Sequence, residues 1–180
     1  RITSADMAST ARASNKSLSL IGKTAVCSGA TQGIGRGVAL RYSQAGANVY
    51  VIGRNDRGVL EELRKVSGSA EAKFEFIQAD LSLTTGIKDA AKQVQQISGS
   101  SGINYLVQTQ GQTPNGQWKE TSEGIESRFA IQCLSKFGLA YSLLESGTVK
   151  EAVLSVAAPG GSTKEFDGTD PGMKKAKADG

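Results

Sequence analysis

The sequence predicts an α/β fold in which a doubly wound parallel sheet lies between two layers of helices, giving three layers, α/β/α. Short apolar and β-branched runs alternate five times with segments of helical apolar spacing. A glycine-rich turn at residues 29–35 joins the first such run to the first helical segment. With right-handed crossovers, these elements predict the strand order 3-2-1-4-5.

The five strands are predicted from runs of β-branched, aromatic and small apolar residues. They lie at residues 24–27, 48–52, 73–79, 102–108 and 151–157. In the third run Phe74 and Phe76 alternate with Lys73 and Glu75, the period expected of a half-buried strand.

Four helical segments follow from apolar residues spaced three and four apart. Their predicted inner faces are Ile34, Val38, Ala39 and Tyr42; Val59, Leu63 and Val66; Ile87, Ala90, Ala91, Val94 and Ile97; and Ile125, Phe129, Phe137, Ala140 and Leu144. The first should end at Gly46 and the second near Gly68, because glycine favours the left-handed C-terminal cap. The last is predicted to run over 123–145.

Composition narrows the class of protein. With 180 residues, 38% of them hydrophobic, the chain is long enough for one domain and too short for two. It has no apolar run of the length that spans a bilayer, so we expect no membrane partner. The charge is +4, but basic and acidic residues are interspersed, which argues against a nucleic-acid partner.

The cysteine and histidine content argues against a metal site. There is no histidine, and Cys27 and Cys133 do not have metal-ligand spacing. Both fall in apolar patterns, so we expect two buried thiols and a reducing, cytoplasmic location.

Three segments are expected along the chain. Residues 1–19 are rich in serine, alanine and threonine and predict a disordered lead-in. Residues 20–160 contain the periodic elements and predict the folded domain. Residues 161–180 contain glycines and lysines without apolar periodicity and predict a flexible tail.

The glycine-rich turn has the features of a site for a dinucleotide pyrophosphate. Gly29 would allow a sharp turn off the strand, Gly33 would let the backbone approach phosphates, and Gly35 would let the helix pack closely. The free N–H groups and the helix dipole would then face the anion.

A competing phosphate motif is excluded by its context. Gly22-Lys23-Thr24 matches the end of a P-loop, but the first glycine of that motif would fall on Ser17. The match also precedes a strand instead of following one.

The spacing Ser28-Gly29-x-x-x-Gly33-Ile34-Gly35 resembles the fingerprint Thr-Gly-x-x-x-Gly-Ile-Gly of the short-chain dehydrogenase/reductase family. The resemblance covers about residues 20–160 and implies an NAD(P)-binding domain of the Rossmann type. The run from Val153 to Gly161 resembles a divergent eukaryotic, fungal-like subgroup. The resemblance implies hydride transfer between a nicotinamide and a small carbonyl or alcohol substrate.

The resemblance also implies which residues surround the cofactor. Gln108-Thr109-Gln110-Gly111 stands where the family has Asn-Asn-Ala-Gly, with the glycine retained. The implied cofactor-binding residues are Ser28, Gly29, Thr31, Gln32, Gly33, Ile34, Gly35, Arg54, Asn55, Asp80, Leu81, Gln110 and Gly111.

The end of the second strand predicts the type of cofactor. NAD-binding chains carry an acid there for the ribose hydroxyls, whereas this chain has Arg54 and Asn55. A guanidinium can pair with a 2′-phosphate, so we expect NADP (NADPH) rather than NAD. The alternative is that Arg54 is a solvated turn residue.

Asp80 and Leu81 follow the third strand, where the family has an acid and an aliphatic residue that contact the adenine. The alternative interpretation is that Asp80 caps the next helix.

The catalytic residues are not assigned by the sequence. The family uses Ser, Tyr and Lys, with a helical Asn that supports a proton-relay water. Gln132 stands at the Asn position, and Ser155 and Ser162 are candidates for the serine. No tyrosine follows Tyr141, so the Tyr-x-x-x-Lys motif is absent from this sequence.

Two explanations of that absence are open. We expect the chain to be an N-terminal fragment, inactive alone, of a longer reductase that supplies the C-terminal part of the fold and forms a homodimer. The alternative is a non-catalytic NADP-binding protein with a regulatory or redox-sensing role.

Overall fold

The computed structural model describes residues 17–112 and 118–157, which form a five-stranded, wholly parallel sheet. The strands are β1 (Thr24–Ser28), β2 (Asn48–Gly53), β3 (Phe74–Gln78), β4 (Ile103–Gln108) and β5 (Val149–Ser155). Their order is β3-β2-β1-β4-β5, which confirms the predicted topology.

Helices cover both faces of the sheet. They are α1 (Gly33–Gln44), α2 (Val59–Val66), α3 (Thr84–Ser98), α4 (Ser127–Phe129) and α5 (Ser135–Glu145), with a 3₁₀ turn at Gly99–Ser101 and a π-helical turn at Ala130–Leu134. In one core cluster Ala39 and Leu63, from α1 and α2, pack on Val51 of β2. In the other, Ile87 of α3 and Leu139 of α5 pack with Ile77, Leu106 and their neighbours. The chain therefore has the predicted α/β/α layers.

No helix within the described ranges is both long and apolar enough to cross a membrane. The strands differ in burial: β1 and β2 are almost wholly buried, whereas most of β5 is exposed at the edge of the sheet.

The predicted position of the fifth strand was wrong by two residues. It begins at Val149, which pairs with Ile103, and ends at Ser155, which pairs with Gln108. A register irregularity between Ile103 and Tyr105 absorbs one residue of β5, and this local backbone feature has no counterpart in the apolar pattern.

The last helix differs most from its prediction. It begins at Ser127 instead of 123, because Glu120 and Glu126 form an antiparallel bridge and the Glu126 carboxylate accepts from the Phe129 N–H at 2.7 Å. The predicted inner residues Phe137 and Leu144 are 69% and 53% exposed, whereas Leu139 and Leu143 are fully buried.

The π turn explains this change of face. Buried positions step from Ala130 to Ser135, five residues instead of four, which rotates the later face by about 100°. Cys133 lies in this turn and is exposed, so the expectation of two buried thiols was wrong for Cys133 and confirmed for Cys27. Burial raises the pKa of the Cys27 thiol to about 12. Ile34 and Ile97, also predicted to face inward, are 69% and 41% exposed.

Candidate functional site

The candidate site lies where the carboxyl ends of the parallel strands meet, the usual ligand-binding edge of a doubly wound sheet. The three predicted glycines lie in the turn after β1 and in the first turn of α1, and they have different surroundings.

Gly29 and Gly35 are required by close packing of the backbone. Gly29 has φ +73, and a Cβ there would lie 2.5 Å from the Gln110 backbone N. A Cβ on Gly35 would lie 2.2 Å from Thr109 Oγ1 and 2.7 Å from the Gly29 carbonyl oxygen. These two glycines let the turn sit directly against the chain that leaves β4.

Gly33 is different, because a Cβ built there has no atom within 4 Å. It begins α1 with φ +56, next to the N-cap Gln32, whose side chain makes no capping hydrogen bond. The first turn of α1 has no acidic residue. Open space above free helix N–H groups, with no nearby carboxylate on that turn, fits a phosphate group.

Ser28 and Gln110 connect the end of β1 to the chain that follows β4 and to the start of α5. The Ser28 hydroxyl donates to Gln110 Oε1 at 2.7 Å, and Gln110 Nε2 donates to Ser135 Oγ at 3.0 Å. Both Ser28 and Gln110 are buried, so their side chains support the turn from beneath. Gly111, the next residue, is exposed.

The end of β2 lies against the glycine turn. A Cβ on Gly53 would lie 2.8 Å from Thr31 Cγ2, so the two segments are in van der Waals contact. Arg54 and Asn55 follow and are exposed, and the Arg54 guanidinium has no partner among the residues described. Asp56, the nearest acid in sequence, accepts from the Leu60 N–H at 3.2 Å, so one of its carboxylate oxygens is bonded to α2.

Two further arginines, Arg36 and Arg57, form hydrogen bonds with the glycine turn, and the sequence analysis did not identify them. Arg36 pairs with Glu62 at 2.6 Å and donates to the carbonyl oxygens of Thr31 and Arg57. Arg57 donates from Nη1 to the side chain of Gln32. No spacing pattern in the sequence connects these residues.

Asp80 does not cap α3, so that alternative was wrong. Its carboxylate accepts from the N–H and hydroxyl of Ser82, at 3.0 and 2.7 Å, because the chain turns there before the helix starts at Thr84. Leu81 is 4% exposed and belongs to the core.

A distant acid, Glu123, caps α3 instead. Its carboxylate accepts from the N–H groups of Thr84 and Thr85, at 2.7 and 3.3 Å. The hydrogen bond from the Thr84 backbone, followed by the bonds from Thr85, lowers the pKa of Glu123. No local signal identifies a cap that is 39 residues away.

A side-chain network lies at the ends of β4 and β5. Buried Gln108 donates from Nε2 to the Lys136 carbonyl at 2.8 Å and accepts from Ser155 Oγ at 2.7 Å. Lys136 Nζ donates to the Val156 carbonyl at 2.5 Å, and burial lowers the pKa of this ammonium. Gln132 lies in the π turn and donates to the Gln112 carbonyl at 2.8 Å. Ser162 lies outside the described residues.

A shallow apolar groove lies at the opposite edge of the sheet, lined by Leu18, Leu20, Val38, Arg41, Tyr42 and Tyr105. The Tyr42 and Tyr105 rings are tilted with centroids 5.6 Å apart. The lining of this groove contains none of residues 29–35, so we do not assign the cofactor to it.

Comparison with known proteins gives a consistent result. A family model described as short chain dehydrogenase matches residues 23–152. Oxidoreductase AN1596 of Emericella nidulans is 34% identical over 142 residues, which cover 75% of this chain and 41% of that protein. Retinol dehydrogenase 11 of Mus musculus is 31% identical over 130 residues, covering 70% and 39%.

Solved structures give the same fold. L-sorbose reductase of Gluconobacter frateurii superposes with a TM-score of 0.60 at 20% identity, covering 77% of this chain and 53% of that one. RhlG of Pseudomonas aeruginosa, in a complex with NADP, gives 0.55 at 25% identity, covering 70% and 48%. The chain thus spans about two fifths of the curated relatives and half of these structures.

Proposed function

The chain belongs to the short-chain dehydrogenase family, and we propose that it binds NADP(H) at the glycine turn and the end of β2. We further propose that the protein uses this cofactor to interconvert a small carbonyl compound and its alcohol. The observation that carries the proposal is the open space at Gly33 beside a β2 end that carries Arg54 and Asn55 where an NAD site has an acid.

The turn fits the pyrophosphate. Gly33 and the first N–H groups of α1 would hold it, because a Cβ built on Gly33 has no atom within 4 Å and the N-cap Gln32 makes no capping hydrogen bond. Thr31 contacts the end of β2, so a ribose bound between the two segments would lie next to Arg54 and Asn55.

Charge at the β2 end favours NADP over NAD. The NAD ribose needs an acidic acceptor at the end of β2, and this chain has Arg54 and Asn55 at that point. The Arg54 guanidinium has no hydrogen-bond or ion-pair partner within residues 17–112 and 118–157, which suits a 2′-phosphate. The relative RhlG was solved in a complex with NADP, which supports the same choice.

The nicotinamide would supply or accept the hydride, and the β4–β5 network would support the chain beside it. Gln108 Nε2 donates to the Lys136 carbonyl, so its Oε1 faces Ser155 and accepts a hydrogen bond from the serine hydroxyl. In this arrangement Ser155 braces the end of β5 and has no proton left to polarise a substrate oxygen. Gln132 retains the candidate relay position in the π turn.

A titration tests the cofactor proposal. We expect the wild-type chain to bind NADPH at least about tenfold more tightly than NADH, or about 1.4 kcal/mol. Arg54→Asp should abolish this preference, because a carboxylate repels the 2′-phosphate and accepts from ribose hydroxyls. Arg64→Asp, which makes the same charge change in the last turn of α2, should keep it. Equal affinities of the wild type for the two cofactors would refute the NADP assignment.

The surface of α5 supports a homodimer of the full-length protein, which we include in the proposal. Phe137 and Tyr141 stack at 5.7 Å and, with Leu144, leave an exposed apolar stripe. Dimer formation through α5 should be lost in Phe137→Glu, as measured by analytical ultracentrifugation of the full-length protein.

The free, exposed thiol of Cys133 suits a reducing compartment and is our basis for proposing the cytoplasm.

A further inference from the structure

Three buried polar side chains form a continuous bridge from the end of β1 to the start of α5. The Ser28 hydroxyl donates to Gln110 Oε1 at 2.7 Å, and Gln110 Nε2 donates to the Ser135 hydroxyl at 3.0 Å. Ser28 and Ser135 are fully buried, and Gln110 is nearly so. Because solvent does not reach these groups, the loss of one partner leaves the others unpaired. We call the three residues the buried bridge.

The last bond of the buried bridge fixes the direction of the others. Ser135 Oγ donates to the Ile131 carbonyl oxygen at 2.5 Å, because a carbonyl oxygen can only accept. The hydroxyl has a single proton, so it accepts from the Gln110 amide, whose Oε1 must then face Ser28. Each member thus donates towards the helix, and the series ends on the peptide bond between Ile131 and Gln132.

The buried bridge ends where the helix departs from α-helical geometry. The Ser135 N–H donates to the Ala130 carbonyl, five residues earlier instead of four. The Ile131 carbonyl, which an α-helix would pair with that N–H, accepts from the Ser135 hydroxyl. The serine side chain thus bonds a carbonyl at which the regular backbone pattern is interrupted, and this bond stabilises the π turn.

The two ends of the buried bridge lie in two different parts of the candidate site. At one end the π turn contains Gln132, the candidate relay residue, whose Nε2 donates to the Gln112 carbonyl. At the other end Gly29 follows Ser28, and a Cβ on Gly29 would lie 2.6 Å from the Gln110 Cα. A movement of the glycine turn would therefore displace Gln110 and, through its side chain, the π turn.

We propose that the buried bridge couples cofactor binding at the glycine turn to the π turn, and that Gln110 is thereby a positioning residue for Gln132. Bound cofactor would immobilise the glycine turn, and the bridge would transmit this restriction to the peptide bond before Gln132. The inference rests on the proposed function, and it adds a connection between two parts of the site.

The buried bridge is a feature of this chain and is separate from the bonds of Gln108. The short-chain dehydrogenase fingerprint has alanine at the position of Gln110, and alanine can form neither side-chain bond. Gln108 bonds the Lys136 carbonyl and Ser155, so it shares no member with the bridge.

Amide hydrogen exchange of the full chain, followed by mass spectrometry with and without saturating NADPH, tests the coupling. In the wild type NADPH should slow exchange about tenfold in two peptides, residues 29–36 at the glycine turn and residues 130–136 at the π turn. Residues 91–98, at the end of α3, are the reference for any change in global stability.

Two variants break the buried bridge at different members. Ser135→Ala removes the bonds to Gln110 and Ile131, whereas Gln110→Met keeps the length of the side chain and removes both of its bonds. In each variant NADPH should still slow exchange at residues 29–36. Its effect at residues 130–136 should fall below about twofold, because the restriction is no longer transmitted.

The matched control is Ser43→Ala. Ser43 is fully buried in α1, on the opposite face of the sheet from α5, and its hydroxyl donates to the Leu63 carbonyl at 2.7 Å. A merely structural role of Ser135 predicts that the two serine variants respond alike to NADPH at equal loss of melting temperature. The proposal predicts that only Ser135→Ala loses the response at residues 130–136.

The outcomes separate this inference from the proposed function. A folded wild-type chain in which NADPH slows exchange in neither peptide overturns both. Slower exchange at residues 29–36 alone in the wild type overturns the coupling and leaves cofactor binding at the glycine turn intact. A full response at residues 130–136 in Ser135→Ala and Gln110→Met does the same.

Discussion

The two halves of the carboxyl edge are built in different ways. At β1 and β2 the site is shaped by backbone: Gly29 and Gly35 lie where a Cβ would strike neighbouring atoms at 2.5 and 2.2 Å. At β4 and β5 it is shaped by side chains, with Gln108 bridging Ser155 and the Lys136 carbonyl. Backbone fit permits only glycine, whereas an amide network can be formed by many residue combinations. The first half can therefore be recognised from sequence and the second cannot.

The largest expected effect separates two glycines within the first half. Gly29→Ala places a Cβ 2.6 Å from the Gln110 Cα at a φ of +73, and it should destabilise the fold by about 3 kcal/mol or more. Gly33→Ala meets no atom within 4 Å and should cost only the left-handed strain, about 1 kcal/mol. Urea unfolding of both variants measures the difference.

Gly33→Ala should impair NADPH binding even though it costs little stability. Gly33→Ala stays folded but fills the space assigned to the pyrophosphate, so its NADPH affinity should fall at least about tenfold. Equal stability losses in the two variants, or normal NADPH binding by Gly33→Ala, would contradict the division of roles.

A smaller effect is expected in the second half. Gln108→Leu removes both hydrogen bonds of a fully buried amide and should lower the free energy of unfolding by about 1–2 kcal/mol. Its NADPH affinity should stay within about twofold of wild type, because the glycine turn is untouched. The control is Gln96→Leu, the same change on the exposed face of α3. A large loss of NADPH affinity in Gln108→Leu would show that the two halves act as one unit.

The smallest effect is expected at the edge of the sheet where the strands begin, which is distant from the candidate site along each strand and serves as a reference for it. Hydrogen bonds from Lys23, then Tyr105 and Asn104, lower the pKa of Glu151 from 4.5 to about 2. A depressed carboxyl pKa gives stability that is present above pH 4.5 and is lost as the pH falls towards 2. Glu151→Gln should therefore lose less stability across this window than wild type, as measured by urea midpoints at its two ends.

The matched control for this pH effect is Glu75→Gln, on the exposed side of β3. It should keep the wild-type pH dependence. An identical pH dependence of wild type and Glu151→Gln would show that these exposed bonds contribute nothing to stability.

The strand order, the glycine turn and the exposed position of Arg54 were predictable from the sequence, because each corresponds to a local pattern of residues. The phase of the last helix was not, since the π turn between Ala130 and Ser135 breaks the 3.6-residue period on which the prediction depended. Within the site, the Glu123 cap and the Arg57–Gln32 bond join segments distant in sequence. Such contacts depend on tertiary packing, and a single sequence has no periodicity that encodes them.

Cofactor binding at the glycine turn is tested most directly by an amide NMR titration of the isotopically labelled chain with NADPH. We expect saturable shifts concentrated at Thr31, Gly33 and Arg54, with the amides around Tyr42 and Tyr105 in the apolar groove unaffected. A folded chain whose glycine-turn amides do not respond to NADPH, or whose shifts concentrate in the apolar groove, would contradict it.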